Sequence, residues 1–242
     1  LVAWRDNRLQ GSSVISDIFG RIIDGVAKDT SYGPEFRIAN TSDAGSGRTA
    51  RNPDAEWNSL EEEFVVVWEA DQSNGNDRFD IHGQRLDSAG TEIGGDLRIS
   101  HAVNVNVFRD ATRPSIAWNE TNNEYMVVWI DDQVTNNAFE TMGQVLDSVG
   151  NEIGSDFRIS NAQDVDADHD ADFPDVAWDS TFNEYLVVWA SDQKNVNSNG
   201  RLETFGQLLD EDGVEIGVDT RISYITDVDS SKDANHPAIA SN

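Results

Sequence analysis

The chain has 242 residues, with 17 Lys and Arg against 45 Asp and Glu and a formal charge of −28. A surface this acidic repels phosphate backbones and anionic lipid, which excludes nucleic acid held by charge and adsorption to a negative bilayer. No Cys is present, so disulfides, thiolate metal sites and thiol nucleophiles are excluded as well. No apolar stretch approaches the ~20 residues of a membrane span, so no membrane insertion is expected. A hydrophobic content of 38% with seven Trp supports a packed core rather than a disordered acidic chain. Only Lys28, Lys194 and Lys232 are lysines. An acid-rich, Lys-poor surface suits salt water, where self-repulsion is screened. The opening run Leu1-Val2-Ala3-Trp4, without an initial Met, suggests a processed protein or an excised domain.

In chain order, apolar runs ending in Trp recur at Leu1 to Trp4, Phe64 to Trp68, Tyr125 to Trp129 and Tyr185 to Trp189. Other landmarks keep the same register: Gly20, Gly83, Gly143 and Gly206, then Arg37, Arg98, Arg158 and Arg221, then Pro53, Pro114, Pro174 and Pro237. The period is 60 to 64 residues, which divides a single domain over 1–242 into four repeats of approximately 1–63, 64–124, 125–184 and 185–242.

Each repeat reads as four strands. The first follows the Pro, as in Pro114 to Trp118, and a turn-forming cluster such as Asn119 to Asn123 comes after it. The second, of the Tyr125 to Trp129 type, is aromatic and β-branched on both faces and reads as a central buried strand. The third is of the Phe79 to Leu86 type. The turn Asp87 to Gly90 leads to the fourth, Glu92 to Ser100, with Asp to open it and Gly to take a positive φ. Along the fourth strand, Asp96 and Arg98 share one face, as do Glu35 and Arg37, Asp156 and Arg158, and Asp219 and Arg221. These read as edge-strand charges that pair and discourage aggregation.

No segment carries a sustained 3.6-residue period, so helix is negligible. Tandem four-stranded antiparallel units are propeller blades. The chain starts on a second strand and ends on a first strand, Pro237 to Asn242, so pairing the C-terminal strand with the N-terminal blade would close the ring. The fold expected is all-β, a β-propeller of four blades. The runner-up is a section of a larger propeller, whose cut ends would expose strand edges.

The pattern VVW-x2-D … G-Q-x-L-D-x-x-G-x-x-I-G-x-D-x-R-I-S … P-x-x-A-W resembles the propeller repeat of secreted and cell-surface proteins of marine and environmental bacteria. Repeats two and three carry it most fully. Repeat one has a longer turn, Asp24 to Gly33, and Ser241 stands where repeat four would have its second Trp. The resemblance implies the propeller and an extracellular or cell-surface location, and implies little about activity.

Two sets of acids invite a functional reading. Counting back from the aligned Pro, positions −10, −8 and −4 hold Asp164, Asp166 and Asp170 in repeat three, with Asp168 and Asp172 added. Repeat four has Asp227, Asp229 and Asp233, and repeat two has Asn104, Asn106 and Asp110. Oxygen ligands at alternate loop positions suit Ca2+, so these loops are the expected metal sites. Their bland alternative is a set of Asx-turns and solvated acids. A second acidic position, Asp6, Asp71, Asp132 and Asp192, opens Asn-rich loops that suit hydrogen bonding to sugar hydroxyls. Trp68, Trp129 and Trp189 are expected in the inter-blade core, and Trp57, Trp118 and Trp178 follow the innermost strand. Glu61, Glu62 and Glu63, unique to repeat one, read as a solvated turn.

No nucleophile-elbow, P-loop or dinucleotide motif is present. The expected function is therefore a non-catalytic extracellular binding or adhesion module, stabilised by Ca2+, with a glycan or protein surface as partner and a compact monomer as its isolated state. The first alternative is a carbohydrate-active enzyme, which requires two acids within ~5–9.5 Å in one cleft. Such a pair should break the repeat. The second alternative is a structural spacer in a larger surface or filament protein.

Overall fold

The computed structural model describes all residues except 9–15, 24–32, 40–48, 72–77, 102–109, 136–137, 163–169, 193–200, 230 and 242. The protein is an all-β propeller of four antiparallel sheets, one per repeat. The first sheet is β1 (Val2–Asp6), β2 (Asp17–Arg21) and β3 (Phe36–Arg37). The second is β4 (Ala50–Asn58), β5 (Glu63–Ala70), β6 (Asp80–Asp87) and β7 (Glu92–Arg98). The third is β8 (Ala111–Asn119), β9 (Glu124–Thr135), β10 (Ala138–Leu146) and β11 (Glu152–Arg158). The fourth is β12 (Ala171–Asp179), β13 (Glu184–Ser191), β14 (Glu203–Asp210) and β15 (Glu215–Arg221). A single turn of helix, α1 (Ile225–Val228), follows. The segment expected to complete the first blade, 237–241, is extended and lies beside β12, where the Ile239 N–H donates to Asp175 Oδ2 at 2.9 Å; β1 pairs with β2.

Strands meander in sequence order within each sheet, so chain direction alternates. This sends the short hairpin turns to one end of the molecule. The connections from fourth strand to next blade and from second strand to third emerge at the other; they are long except between β9 and β10. The hairpin turns form as their residues dictate. Asp87 Oδ1 accepts from the N–H groups of Ala89 and Thr91 at 2.9 and 2.8 Å, and Gly90 follows with φ +86°. Asn58 and Asn119 do the same service in the other hairpins, each accepting two N–H groups from its own turn.

The first strand begins earlier than its Pro. β4, β8 and β12 each start three residues ahead of it, and the register slips at the residue before Pro and the Pro itself. Proline cannot donate to a ladder, so a strand that contains it accommodates it at a bulge.

The core lies between blades. Trp68, Trp129 and Trp189 are fully buried, as expected, and each removes on the order of 200 Å² from water. Val66, Trp68 and Leu86 pack on Ile18 and Ile38 of the preceding blade. The same arrangement recurs at the second and third junctions. A side chain on the fourth strand of one blade also seats on the hairpin glycine of the next: Phe36 on Gly90, Leu97 on Gly150, Phe157 on Gly213.

The fourth-strand arginines pair across the sheet. Arg98 binds Asp80 at 2.6 Å, Arg37 binds Asp17 at 2.7 Å and Arg221 binds Glu203 at 2.7 Å. These acids are buried on the third strand of each blade, so the expected pairing along the edge strand gives way to a tie between neighbouring strands. Glu63 also departs from the expected solvated turn: it opens β5, is 2% exposed, and takes Arg85 with both oxygens at 2.8 Å.

Candidate functional site

Four inner segments surround the central channel: β4, β8, β12 and 236–241. On the face of the long connections its mouth is a cavity of about 480 Å³ lined by Asn52, Arg113, Phe173 and His236, their prolines, and Asp54, Ser115 and Asp175 below. The four mouth residues occupy one aligned position, immediately before the Pro. Each has a positive φ, between 51 and 55°. The residue before Pro normally keeps to extended backbone, and a non-glycine residue at positive φ carries on the order of 1 kcal/mol of strain. The bulge holds the first three, and His236 takes the same φ outside a paired strand, so four dissimilar side chains are aimed from one strained backbone shape. The Arg113 guanidinium lies 4.3 Å from the centre of the Phe173 ring, and His236 packs on the same ring at 3.5 Å. Arg113 is also ion-paired with Asp172, and its N–H donates to Glu69 Oε2 of the preceding blade at 2.5 Å.

Beneath this ring, the residue after the Pro is Asp54, Ser115, Asp175 and Ala238 in turn. Asp54 Oδ2 accepts from the Ile116 N–H at 3.0 Å, and its Oδ1 from the Ala55 N–H at 2.9 Å. Asp175 Oδ1 accepts from Ser115 Oγ at 2.8 Å. Ser115 and Asp175 also lie near enough to act on the Asp54 carboxyl electrostatically. Burial, reinforced by the charge of Asp175, raises the pKa of Asp54.

The opposite mouth, on the hairpin face, is a cavity of about 490 Å³ whose lining includes Glu56, Trp118, Glu120 and Trp178. Burial raises the pKa of Glu56. Trp118 is half-buried and Trp178 is buried, and the Trp118 indole donates to Asn123 Oδ1 at 3.3 Å.

Of the expected metal residues, Asn104, Asn106, Asp164, Asp166 and Asp168 lie outside the described residues. The aligned Asp110, Asp170 and Asp233 share a structural duty. Their Oδ1 atoms accept the N–H groups of Phe79, Phe139 and Leu202, at 2.9, 2.8 and 3.0 Å, at the entry to the third strand. Arg78 and Arg201 bind the other oxygen of Asp110 and Asp233. Asp172 holds Arg113, Asp227 binds Arg221 at 2.9 Å, and Asp229 accepts from Ser231. Among the described residues no group of three or more His or acidic side chains is gathered for a metal ion. The second acidic position is likewise structural: Asp132 and Asp192 accept the N–H groups of Asp110 and Asp170 at 3.1 and 3.2 Å, and Asp71 is fully buried.

No family model matches the chain, and no curated protein does. Solved structures do. An endo-arabinase from Bacteroides thetaiotaomicron VPI-5482 is similar with a TM-score of 0.55 at 13% identity, over 87% of this chain and 74% of that one. An N-acetylgalactosamine deacetylase from F. plautii, in complex with blood group B trisaccharide, is similar with a TM-score of 0.50 at 8% identity, over 85% of this chain and 64% of that one. In the second case the match spans less than two thirds of the compared chain. At such identities the likeness establishes the fold.

The expectation of a non-catalytic module, without enzymatic activity, is corrected by these neighbours. The two structures named above are carbohydrate-processing enzymes, and one mouth of the channel is lined by two acids, Asp54 and Asp175, at positions where the repeat is broken. Spacing along the loops does not point to Asp54 or Asp175; the signal for them in the sequence is the change of residue type on either side of each aligned Pro.

Proposed function

We propose that the protein is a carbohydrate-active enzyme that cleaves glycosidic bonds of a neutral glycan at the channel mouth. The observation that carries this reading is the grouping of Asp54, Ser115 and Asp175 beneath Arg113, Phe173 and His236 in one cavity. The fold it shares with glycan-processing enzymes supports it. Asp54, with its raised pKa, is the proton donor to the leaving oxygen. Asp175, oriented by Ser115 and by the Val176 and Ile239 N–H groups, is the carboxylate that attacks or activates water. The charge of −28 disfavours polyanionic substrates.

The test is release of reducing ends from arabinan, galactan, xylan and glucans. Asp54→Asn and Asp175→Asn should each lower turnover by about 100-fold or more with the melting temperature little changed. No release from any of these polymers, or full turnover in both variants, would overturn the proposal. Location outside the cell belongs to the same proposal, since such polymers are extracellular. Calcium on the inter-blade loops is a further part of it, supported by the spacing of Asp164, Asp166 and Asp170. A rise in melting temperature in millimolar Ca2+ supports that part, and no rise removes it.

A further inference from the structure

Two neighbouring blades differ at one place on the face of the long connections. In the second blade, the ring of Phe79, just before β6, is covered by Arg51, whose guanidinium lies 4.1 Å from the ring centre. The charge of Arg51 is matched by Glu69, which is 1% exposed. In the third blade the aligned residues are Phe139, Thr112 and Ile130. Thr in place of Arg removes the cover, and Ile in place of Glu removes its acid. A cavity of about 290 Å³ results, near the small end of ligand sites at about 300 Å³. Its lining includes Thr112, Ile130 and Phe139 of the third blade and Asp170 and Asp172 at the start of the fourth, with Arg113 between them. Arg113 also lines the channel mouth together with Asp54 and Asp175, so one guanidinium borders both cavities.

The walls select the occupant. Phe139 is half-buried and Ile130 is 4% exposed, so one side of the cavity is apolar. Thr112, Asp170, Asp172 and Arg113 give the other side hydroxyl and carboxylate oxygens and guanidinium donors. Arg113 pairs with Asp172, and Asp170 accepts the Phe139 N–H at 2.8 Å. A cation entering here would meet the charge of Arg113 without the buried acid that Arg51 has in Glu69. An anion would meet two carboxylates. A neutral molecule with one apolar face and a rim of hydroxyls suits both sides. Its C–H face lies on Phe139, and its hydroxyls donate to carboxylate lone pairs and accept from the guanidinium. A sugar ring has that construction.

We propose that this cavity is a second sugar subsite, joined to the channel mouth across Arg113. The protein then holds a chain of sugar units that runs outward between the third and fourth blades, and it selects oligomers over single units. The subsite rests on the proposed glycan cleavage for its class of ligand. It adds contacts away from the bond that is cut, which can be used to orient that bond.

Isothermal titration of Asp54→Asn protein with di- and tetrasaccharides of the arabinan, galactan, xylan and glucan series tests it. The tetrasaccharide of at least one series should bind about 10-fold or more tightly than its disaccharide. Thr112→Arg with Ile130→Glu rebuilds over Phe139 the pair that Arg51 and Glu69 make beside Phe79. That variant should lose the tetrasaccharide advantage and keep the disaccharide affinity. Phe139→Leu, which installs the residue found at the aligned Leu202, should lose most of the advantage with the fold retained by circular dichroism. A tetrasaccharide advantage that survives both variants, or no advantage in any series, would overturn the subsite. Reducing-end release by the wild type without a tetrasaccharide advantage removes the subsite and keeps the enzyme. An advantage lost in the variants, with no release by the wild type, keeps the subsite and removes the enzyme.

Discussion

His82→Met isolates the contribution of one buried imidazole to acid stability. His82 lies on β6, 4% exposed, nearly parallel to Trp68 with ring centres 6.5 Å apart. The aligned residues are Phe19, Met142 and Phe205, so the site is built for an apolar side chain. Burial first, and then the nearby charge of Arg98, pull its pKa from 6.5 down to about 4. The unfolded chain therefore binds this proton at a pH where the folded protein refuses it. The contribution of the neutral ring is complete above pH 6.5, is lost progressively as pH falls, and reaches its limit near pH 4. At ~1.4 kcal/mol per unit the gap is worth roughly 3 kcal/mol.

Urea unfolding followed by Trp fluorescence, at steps from about pH 7.5 to about pH 4, measures it for wild type and variant together. Acidic groups common to both proteins cancel in the difference. The variant should differ from wild type by a constant packing offset above pH 6.5 and then gain on it by roughly 3 kcal/mol on acidification. Parallel pH profiles, or an NMR titration placing the His82 pKa near 6.5, would refute the reasoning.

Other substitutions probe the junctions. Gly150→Ala places a Cβ 2.5 Å from Leu97 Cδ1 at a residue with φ +89°; a loss of about 2 kcal/mol is expected in denaturation, and Leu97→Ala in the same chain should recover part of it. Arg51→Ala strips its guanidinium from Glu69, which is 1% exposed; about 3 kcal/mol should be lost, and Arg51→Ala with Glu69→Gln should be the more stable protein. Asn58→Ala removes two acceptor contacts in its hairpin and the amide bonds to Asn123 and Tyr125 of the next blade; a drop of about 2–3 kcal/mol is expected from thermal unfolding. Asp110→Ala frees the Phe79 N–H and Arg78, with a loss of about 1–2 kcal/mol that is the same in calcium and in chelator if its duty is structural.

The blades were legible in the sequence because their signal is redundant. Each strand type occurs four times, so the Trp-ending strand is secure even where Val2 and Ala3 stand for valine pairs. The hairpin Asp and Gly are read from local chemistry alone, and Asp87 and Gly90 behave as that chemistry requires. Three things were not legible, each for a physical reason. The first strand starts ahead of its Pro because a bulge, a property of two paired strands, absorbs the missing N–H. Asp80 and Arg98 pair across strands, so no spacing along one strand shows it. Asp54 and Asp175 lie 121 positions apart, and only the ring brings them to one serine. In the acidic loops, Asp110 hooks a strand entry, a duty that recurs once per blade and that periodicity alone does not distinguish from ligation.

The seating of Phe36 on Gly90, Leu97 on Gly150 and Phe157 on Gly213 always runs from one blade to the hairpin of the next. Synthesis proceeds in that same direction. A blade emerging from the ribosome therefore keeps its aromatic or leucine peg bare until the socket in the following repeat has been made, 53 to 56 residues later. At about 5–20 residues per second that is several seconds of exposure per blade. The polarity of the contact makes the growing chain sticky at its newest finished edge, and it gives a chaperone one recurring target, renewed once per repeat.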